Sequence, residues 1–251
     1  MRRVGWVGGL ILAGLTVGYG GLAASPAFAA DLSLRGAPAA SQDQHFLFYG
    51  GLDGWSGGGF AHGGLMWAPR GLDKEGFVAK LMAGGGTYGY LAGSTRTTGY
   101  VTIFDAAPGW HFKRGIMDVT VYAGLDVQNH RLLPDDLNNR SRATHAGVRF
   151  GADVWAEPTA TPMASGSVSF ATVGHSYWSR LAYGWRMFDN RIYLGPEVHA
   201  MGDETYQQWR VGAHVTALKI GRFEWSAGAG FASDSSDRSG IYGRIGFLVR
   251  R

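Results

Sequence analysis

Apolar and polar residues alternate without a break over residues 117–127. The apolar set is Met117, Val119, Val121, Ala123, Leu125 and Val127, and the other set is Asp118, Thr120, Tyr122, Gly124 and Asp126. Side chains on a β-strand point to opposite faces with a period of two, so this segment has one apolar face and one face with two carboxylates. A strand buried between two sheets would rarely tolerate that arrangement. A strand with lipid outside and a polar lumen inside requires it.

The same pattern recurs from Phe46 onward and predicts twelve strands. They are 46–54, 58–68, 76–90, 97–112, 116–129, 143–157, 161–173, 177–188, 191–201, 205–218, 222–232 and 239–250. Four of the later strands also carry their charges on one face only; the segments are 144–156, 192–200, 209–217 and 241–250. An even number of strands brings both ends of a barrel to the same side of the membrane. The predicted fold class is all-β: a closed antiparallel up-and-down outer-membrane β-barrel of about 12 strands over residues 46–251.

The connections between the predicted strands also alternate in length. Three short ones suit periplasmic turns: 113–115, 189–190 and 219–221. Longer polar connections at 130–142 and 233–238 suit external loops. Two connections depart from the pattern, because 69–75 is long and 174–176 is short. A secreted β-sandwich is the alternative, although its inner faces would not be expected to carry so many ionisable groups.

Residues 1–29 have the features of a secretory signal peptide. A pair of arginines gives a basic start, a glycine-broken apolar run follows, and Ala27-Phe28-Ala29 has the small-x-small cleavage pattern. We expect cleavage after Ala29; a membrane anchor is the alternative, since the run is long enough to cross a bilayer. Residues 30–45 are predicted to form an N-terminal periplasmic arm. After the signal, no apolar run reaches the length of a membrane helix, so membrane crossing would be by strands.

Composition supports an ordered β protein and excludes two other classes. The 41 glycines are interleaved with 9 Trp, 11 Tyr and 13 Phe, whereas disordered chains are poor in aromatic residues. Loss of the two signal-peptide arginines lowers the formal charge from +4 to +2, and no dense basic stripe is present, so nucleic acid is not an expected partner. With no cysteine, the exported chain has no disulfide framework.

The predicted lumen gathers ionisable groups of both signs and several aromatic rings. The lumen-facing candidates for ion pairs are Asp118, Asp126, Arg149, Asp153, Arg180, Arg186, Glu197, Arg210, Glu224 and Arg244. Because buried charges pair, a plug of salt bridges is favoured over an open ion-selective pore. Flat rings beside hydrogen-bonding groups also suit stacking on glucose units, and the candidates are Tyr122, Trp155, Trp178 and Tyr193. Ordinary packing of a crowded interior is the favoured alternative for these rings.

Catalysis, metal binding and a bound cofactor are not expected. A lipid-hydrolysing barrel enzyme needs Ser and His side chains at its lipid-facing surface, and no nucleophile motif occurs. Five histidines are predicted to face the lumen and two to lie in loops: His62, His111, His145, His199 and His214, then His130 and His175. The acidic loops lack the spacing of a calcium site, so the metal prediction is none.

An ordered series of motifs resembles one protein family. The motifs are Tyr49-Gly-Gly-Leu-Asp53, Gly99 to His111, Tyr122-Ala-Gly-Leu-Asp126 with Pro134-Asp-Asp-Leu-Asn138, Tyr177-Trp-Ser-Arg180, Leu194-Gly-Pro-Glu197 and Gly202 to Gly212. Over nearly all of the mature chain, the sequence is similar to the cellulose biosynthesis protein BcsS family. The C-terminus departs from the usual outer-membrane signal, because Phe247 is followed by four more residues instead of ending the chain.

The resemblance implies an exported, outer-membrane protein of a bacterial cellulose production system, accessory to the synthase and export machinery. It supplies no catalytic residues. We therefore expect a non-catalytic barrel that assists cellulose secretion or surface organisation, in contact with outer-membrane lipid and with cellulose or components of its synthesis and export as candidate partners. A narrow solute or oligosaccharide pore and a lipid-modifying barrel enzyme are the alternatives.

Overall fold

The computed structural model describes residues 44–189 and 191–251, which form a closed barrel of twelve antiparallel strands. Each strand pairs with its neighbours in sequence, and β1 closes the ring by pairing with β12. The predicted fold class is confirmed. The predicted signal peptide and all but the last two residues of the predicted periplasmic arm lie outside the described residues.

The strands are close to those predicted from the alternation. They are β1 Phe46–Trp55, β2 Gly58–Trp67, β3 Gly76–Ala92, β4 Thr95–Arg114, β5 Met117–Leu133, β6 Ala143–Ala156, β7 Pro162–Ala171, β8 Ser176–Met187, β9 Ile192–Gly202, β10 Gln207–Ile220, β11 Phe223–Asp234 and β12 Ser239–Arg250. One short 3-10 turn, Val173–His175, precedes β8. Within the described ranges, no helix is long and apolar enough to span a bilayer.

Large apolar side chains cover the outside of the barrel. They include Phe48, Leu81, Phe104, Val121, Leu125, Phe150, Leu181, Val198, Val211 and Ile245, all of them exposed. Aromatic rings lie towards both ends of this belt, with Trp67, Trp110 and Phe223 near the chain termini and Tyr100, Trp209 and Phe231 near the opposite end. An apolar band flanked by aromatic rings is the surface that a bilayer selects.

Inward-facing tyrosines lie flat over glycines of the adjacent strand. Four cross-strand pairs share this arrangement: Tyr49 with Gly64, Tyr88 with Gly99, Tyr122 with Gly151 and Tyr242 with Gly230. A Cβ added to any of these glycines would come within 3.0 Å of the opposing ring. The missing side chain therefore provides the space that the ring fills, as in the pairing of aromatic residues with strand glycines. This explains why a chain rich in glycine is also rich in aromatic residues.

Main-chain hydrogen bonds join the two ends of the chain at one end of the barrel, here called the terminal end. The carbonyl oxygen of Arg251 accepts from the amides of His45 (2.7 Å) and Phe46 (2.6 Å). The long connection 68–75, which departed from the predicted loop pattern, folds back against this end. There the Leu72 amide donates to the carbonyl oxygen of Gln44 at 2.7 Å, and the Leu72 side chain is buried.

At the opposite end, here called the far end, several strands extend further than predicted. The predicted loop 130–142 contains only 134–142, because β5 continues to Leu133. His130, which was predicted to lie in a loop, is therefore a strand residue whose side chain is buried. The predicted loop 233–238 is likewise shortened, because β11 continues to Asp234. The polar residues at both places predict a loop. In the structure they belong to the strands, and His130 and Asp234 face the interior of the barrel.

Strand β10 contains one interruption that alternation alone does not reveal. Its register with β11 shifts between Val215 and Leu218, and Ala217 has a positive φ of 66°. Such a bulge adds a residue to one strand and reverses which face the following side chains occupy. Ala217 is accordingly buried and Leu218 exposed.

We predict that Gly151→Ala destabilises the barrel because the new methyl group would lie 2.3 Å from Cζ of Tyr122, whose ring is buried. Overpacking of this kind costs about 1–3 kcal/mol. The control is Gly243→Ala, since nothing lies within 4 Å of a Cβ at that position. Urea unfolding of the detergent-folded barrel, followed by Trp fluorescence, measures the difference. Equal midpoints for the two variants would show that the ring does not require the glycine.

Candidate functional site

The barrel interior is the candidate site, and its most highly connected group is the carboxylate of Glu197 on β9. Its oxygens accept hydrogen bonds from Arg180 Nε (3.0 Å), Arg244 Nη2 (2.5 Å) and the hydroxyl of Tyr242 (2.9 Å). The Glu197 side chain is 0% exposed. A Cβ on Gly228 of β11 would lie 2.2 Å from the Glu197 carboxylate, so this glycine lets the side chain pass over β11 towards β12. One carboxylate therefore links β8, β9 and β12.

A second cluster lies on the opposite side of the barrel. It has one arginine and two carboxylates, whereas the first cluster has one carboxylate and two arginines. Arg149 of β6 donates from Nε to Asp105 Oδ1 (3.1 Å) and from Nη2 to Asp126 Oδ1 (2.8 Å). Gln128 Nε2 donates to the other oxygen of Asp126 at 2.8 Å. One guanidinium thus bridges two carboxylates of β4 and β5, and all three groups are buried.

Lys80 of β3 makes a separate contact across the interior. Its ammonium group lies 3.7 Å from Asp153 Oδ2 on β6 and 4.0 Å from the centre of the Tyr122 ring. The ammonium is therefore held both by a carboxylate and by the face of an aromatic ring. Because β3 and β6 are separated by two strands, this contact also spans the interior.

Further pairs occupy the two ends. At the terminal end, Arg186 Nη2 donates to Glu157 Oε2 at 3.2 Å, and Arg250 Nη1 donates to Glu224 Oε2 at 2.9 Å. Arg210 Nη1 donates to both oxygens of Asp53 at 2.7 and 2.8 Å. These pairs join β8 to the β6–β7 turn, β12 to β11, and β10 to β1.

Nine of the ten residues predicted to form lumen ion pairs contact a side chain of opposite charge. Asp118, which completes the set, lies 3.6 Å from His111 Nε2. Sequence reasoning missed three of the partners, Lys80, Asp105 and Asp53. Each occupies an inward position of a strand that is otherwise apolar or glycine-rich there, so a single charge gave little signal. The alternation of β3, β4 and β1 was the only available indication.

The four rings predicted to stack on glucan are all covered by protein. Relative exposure is 2% for Trp155, 4% for Trp178, 7% for Tyr122 and 6% for Tyr193. Trp155 packs edge-on against Tyr193 with ring centres 5.8 Å apart, and Trp178 packs edge-on against His199 at 6.0 Å. Glucan stacking on these rings stays a prediction, and their burial favours the alternative of interior packing.

Histidines provide few arrangements with catalytic geometry. Among the described residues, the exposed imidazole–carboxylate contact is that of His175 with Glu204, in two loops of the far end. The side chains of His111, His130, His199 and His214 are buried. No cluster of three or more metal-ligating side chains occurs in the described part of the chain.

The sequence matches the family model of the cellulose biosynthesis protein BcsS over residues 47–251. Comparison with curated protein sequences gives no match. Among solved structures, the translocator domain of autotransporter NalP from Neisseria meningitidis is similar, with 11% identity, a TM-score of 0.51 and coverage of 84% of this chain and 89% of that one.

Two other solved barrels are similar at lower scores. The KdgM porin has 9% identity and a TM-score of 0.47, covering 81% of this chain and 98% of its own. LpxR from Salmonella typhimurium has 9% identity and a TM-score of 0.46, covering 81% and 99%. At these identities, the structural likeness concerns the fold.

We predict that Glu197→Gln lowers the stability of the folded barrel, because Arg180 and Arg244 lose their shared carboxylate. Removal of one partner from a buried ion pair costs about 3–5 kcal/mol. The matched control is Glu204→Gln, whose contact with His175 is exposed, so that a change of no more than about 1 kcal/mol is expected. Urea unfolding in detergent measures both variants. An unchanged midpoint for Glu197→Gln would contradict a supporting role for this cluster.

Proposed function

We propose that this chain, which belongs to the cellulose biosynthesis protein BcsS family, is a non-catalytic outer-membrane barrel that assists the secretion or surface organisation of cellulose. The family match supports the link to cellulose production. The closed barrel and its apolar outer belt support a location in the outer membrane, reached by an N-terminal signal cleaved after Ala29. The terminal end then faces the periplasm and the far end faces outward.

The observation that carries the proposal is the filled interior. Glu197 ties β9 to Arg180 and Arg244 on two other strands, and Lys80 reaches Asp153 across two intervening strands. A glucan passing through the lumen would have to separate these buried charges, and an unpaired buried charge is costly. The barrel therefore acts as a scaffold in the membrane, and any contact with cellulose or with synthesis and export components is made by its ends.

Catalysis has weaker support. The contact between His175 and Glu204 is exposed at the far end, but the adjacent Ser176 is buried on the following strand. The His175 side chain is exposed on the preceding 3-10 turn while Ser176 is covered by protein, so this serine is not placed to be activated by that imidazole.

Deletion of the gene tests the cellulose role directly. We expect a change in the amount, location or fibre form of surface cellulose, restored by the wild-type chain. A deletion strain with unchanged cellulose in all three respects would contradict the proposal. Lipid analysis of the same strains is the second readout: a lipid modification that appears with wild-type protein and disappears with His175→Ala would favour an enzyme instead.

The double variant Lys80→Met with Asp153→Leu separates a scaffold from a conduit. Apolar side chains of similar volume keep the lumen filled but remove this one ion pair. Replacement of a buried ion pair in this way is often neutral for stability. A scaffold should restore cellulose in the deletion strain with this variant and show no stable conductance in a planar bilayer. Large, stable conductance of the wild-type barrel, lost in the variant together with cellulose, would establish a conduit.

A further inference from the structure

The outward face of β3 to β6 changes abruptly from apolar to polar near the far end. Neighbouring residues form rows across these strands, and the last apolar row is Ala83, Phe104, Val127 and Ala146. The next row is Gly85, Thr102, Asn129 and Thr144, and the one beyond it contains Thr87, Tyr100 and Arg131. The polar rows follow directly on the apolar belt, so they mark where this part of the wall leaves the hydrocarbon.

Two exposed arginines lie on this polar face. Arg131 is flanked along β5 by His130 and Leu132, which are buried, so its own side chain points outward. It is the cross-strand neighbour of Tyr100, a ring that is 45% exposed. Arg96 lies further out on the same face of β4. Among the described residues, neither arginine has an acidic partner.

Two other arginines at the far end have carboxylate partners. Arg142 Nε lies 3.3 Å from Asp135 Oδ1, and Arg238 Nη2 lies 2.7 Å from Asp234 Oδ2. Arg96 and Arg131, by contrast, share one outward-facing wall, that of β4 and β5. Exposed arginines beside an apolar belt have a ready partner in anionic lipid headgroups.

The height of Arg131 fits the headgroup layer. Phe104 and Tyr100 are four residues apart on β4, which is about 13 Å along a strand and about 10 Å along the membrane normal for a strand tilted by about 40°. The polar region on each side of a bilayer is about 5–8 Å thick. The row of Tyr100 and Arg131 lies just beyond that layer, and the long flexible side chain of Arg131 reaches back to its phosphates. Arg96 is four residues further out, which is about another 10 Å along the normal.

We propose that the outward face of β4 and β5 at the far end binds a phosphorylated glycolipid of the outer leaflet. Arg131 holds a phosphate, since guanidinium groups bind phosphate oxygens with paired N–H donors, and Arg96 adds positive charge further out on the same face. Thr102, Asn129 and Thr144, in the row next to the apolar belt, supply hydrogen bonds to sugar hydroxyls, and Tyr100 lies one row further out beside Arg131. The site rests on the proposed outer-membrane location and adds a specific lipid partner to it.

Native mass spectrometry of the detergent-folded barrel, titrated with diphosphoryl lipid A and with its dephosphorylated form, tests this proposal. We expect the apparent Kd for the phosphorylated form to rise about 5-fold for Arg131→Gln, and by a smaller further factor for the double variant with Arg96→Gln, because the attraction falls off with distance from the lipid. The control double variant, Lys219→Gln with Arg222→Gln, removes the same charge from the exposed terminal-end turn and should leave the affinity unchanged.

Equal affinity for the two lipid forms would overturn the proposal, as would an unchanged affinity in the Arg96 and Arg131 double variant. Competition of soluble cello-oligosaccharides for the same arginines would overturn it in favour of a glucan surface. Surface cellulose in cells carrying the double variant is scored separately. Failure of lipid binding is thereby distinguished from failure of the cellulose role, which the deletion strain tests.

Discussion

The main-chain amide and carbonyl groups of a chain that crosses hydrocarbon must all find hydrogen-bond partners within the protein, and this constraint shapes the whole molecule. Twelve strands meet it by pairing in sequence order and by joining β1 to β12, which leaves no open edge along the wall. Closure then divides the side chains into two populations. Those facing outward must be apolar, and those facing inward must fill a narrow space without leaving charges unpaired.

The interior meets the second requirement in two ways. Tyrosine rings take the space left by glycines on the adjacent strand, so the wall and its filling are matched in shape. Carboxylates and guanidiniums then pair across several strands, with Glu197 serving two arginines and Arg149 serving two carboxylates. The two clusters have opposite charge ratios and lie on opposite sides of the lumen. Such an interior is suited to a rigid support, which is why we propose that partners are contacted at the two ends and at the lipid-facing surface.

Much of this architecture is predictable from the sequence because lipid and lumen impose opposite chemistry on alternate residues. The strict alternation of residues 117–127 predicts both faces of β5, and charges confined to one face predict the lumen residues of β6, β9 and β10. The pattern fails where the backbone or the environment changes. A bulge near Ala217 reverses the faces of β10, and the inward polar residues at the end of β5 resemble a loop.

The candidate site is predictable in its composition but not in its connections. Alternation places Glu197 and Arg244 inside, yet their contact crosses two intervening strands and depends on the absence of a side chain at Gly228. The contact between Lys80 and Asp153 also crosses two intervening strands, and the two residues are far apart in sequence. The burial of Trp155 and Trp178 also follows from how neighbouring strands fill the lumen, which sequence periodicity does not describe.

The environment of the outward-facing side chains tests the central claim most directly. Spin labels at Val121, Phe150 and Val211, all exposed on the outer belt, should be accessible to oxygen and shielded from a polar nickel chelate when the barrel is in lipid bilayers. A label at the buried position Thr120 should be shielded from the lipid phase. Labels at the three outer positions that are accessible to the chelate, or immobilised within a dry protein core, would contradict a barrel with lipid outside and its charges within.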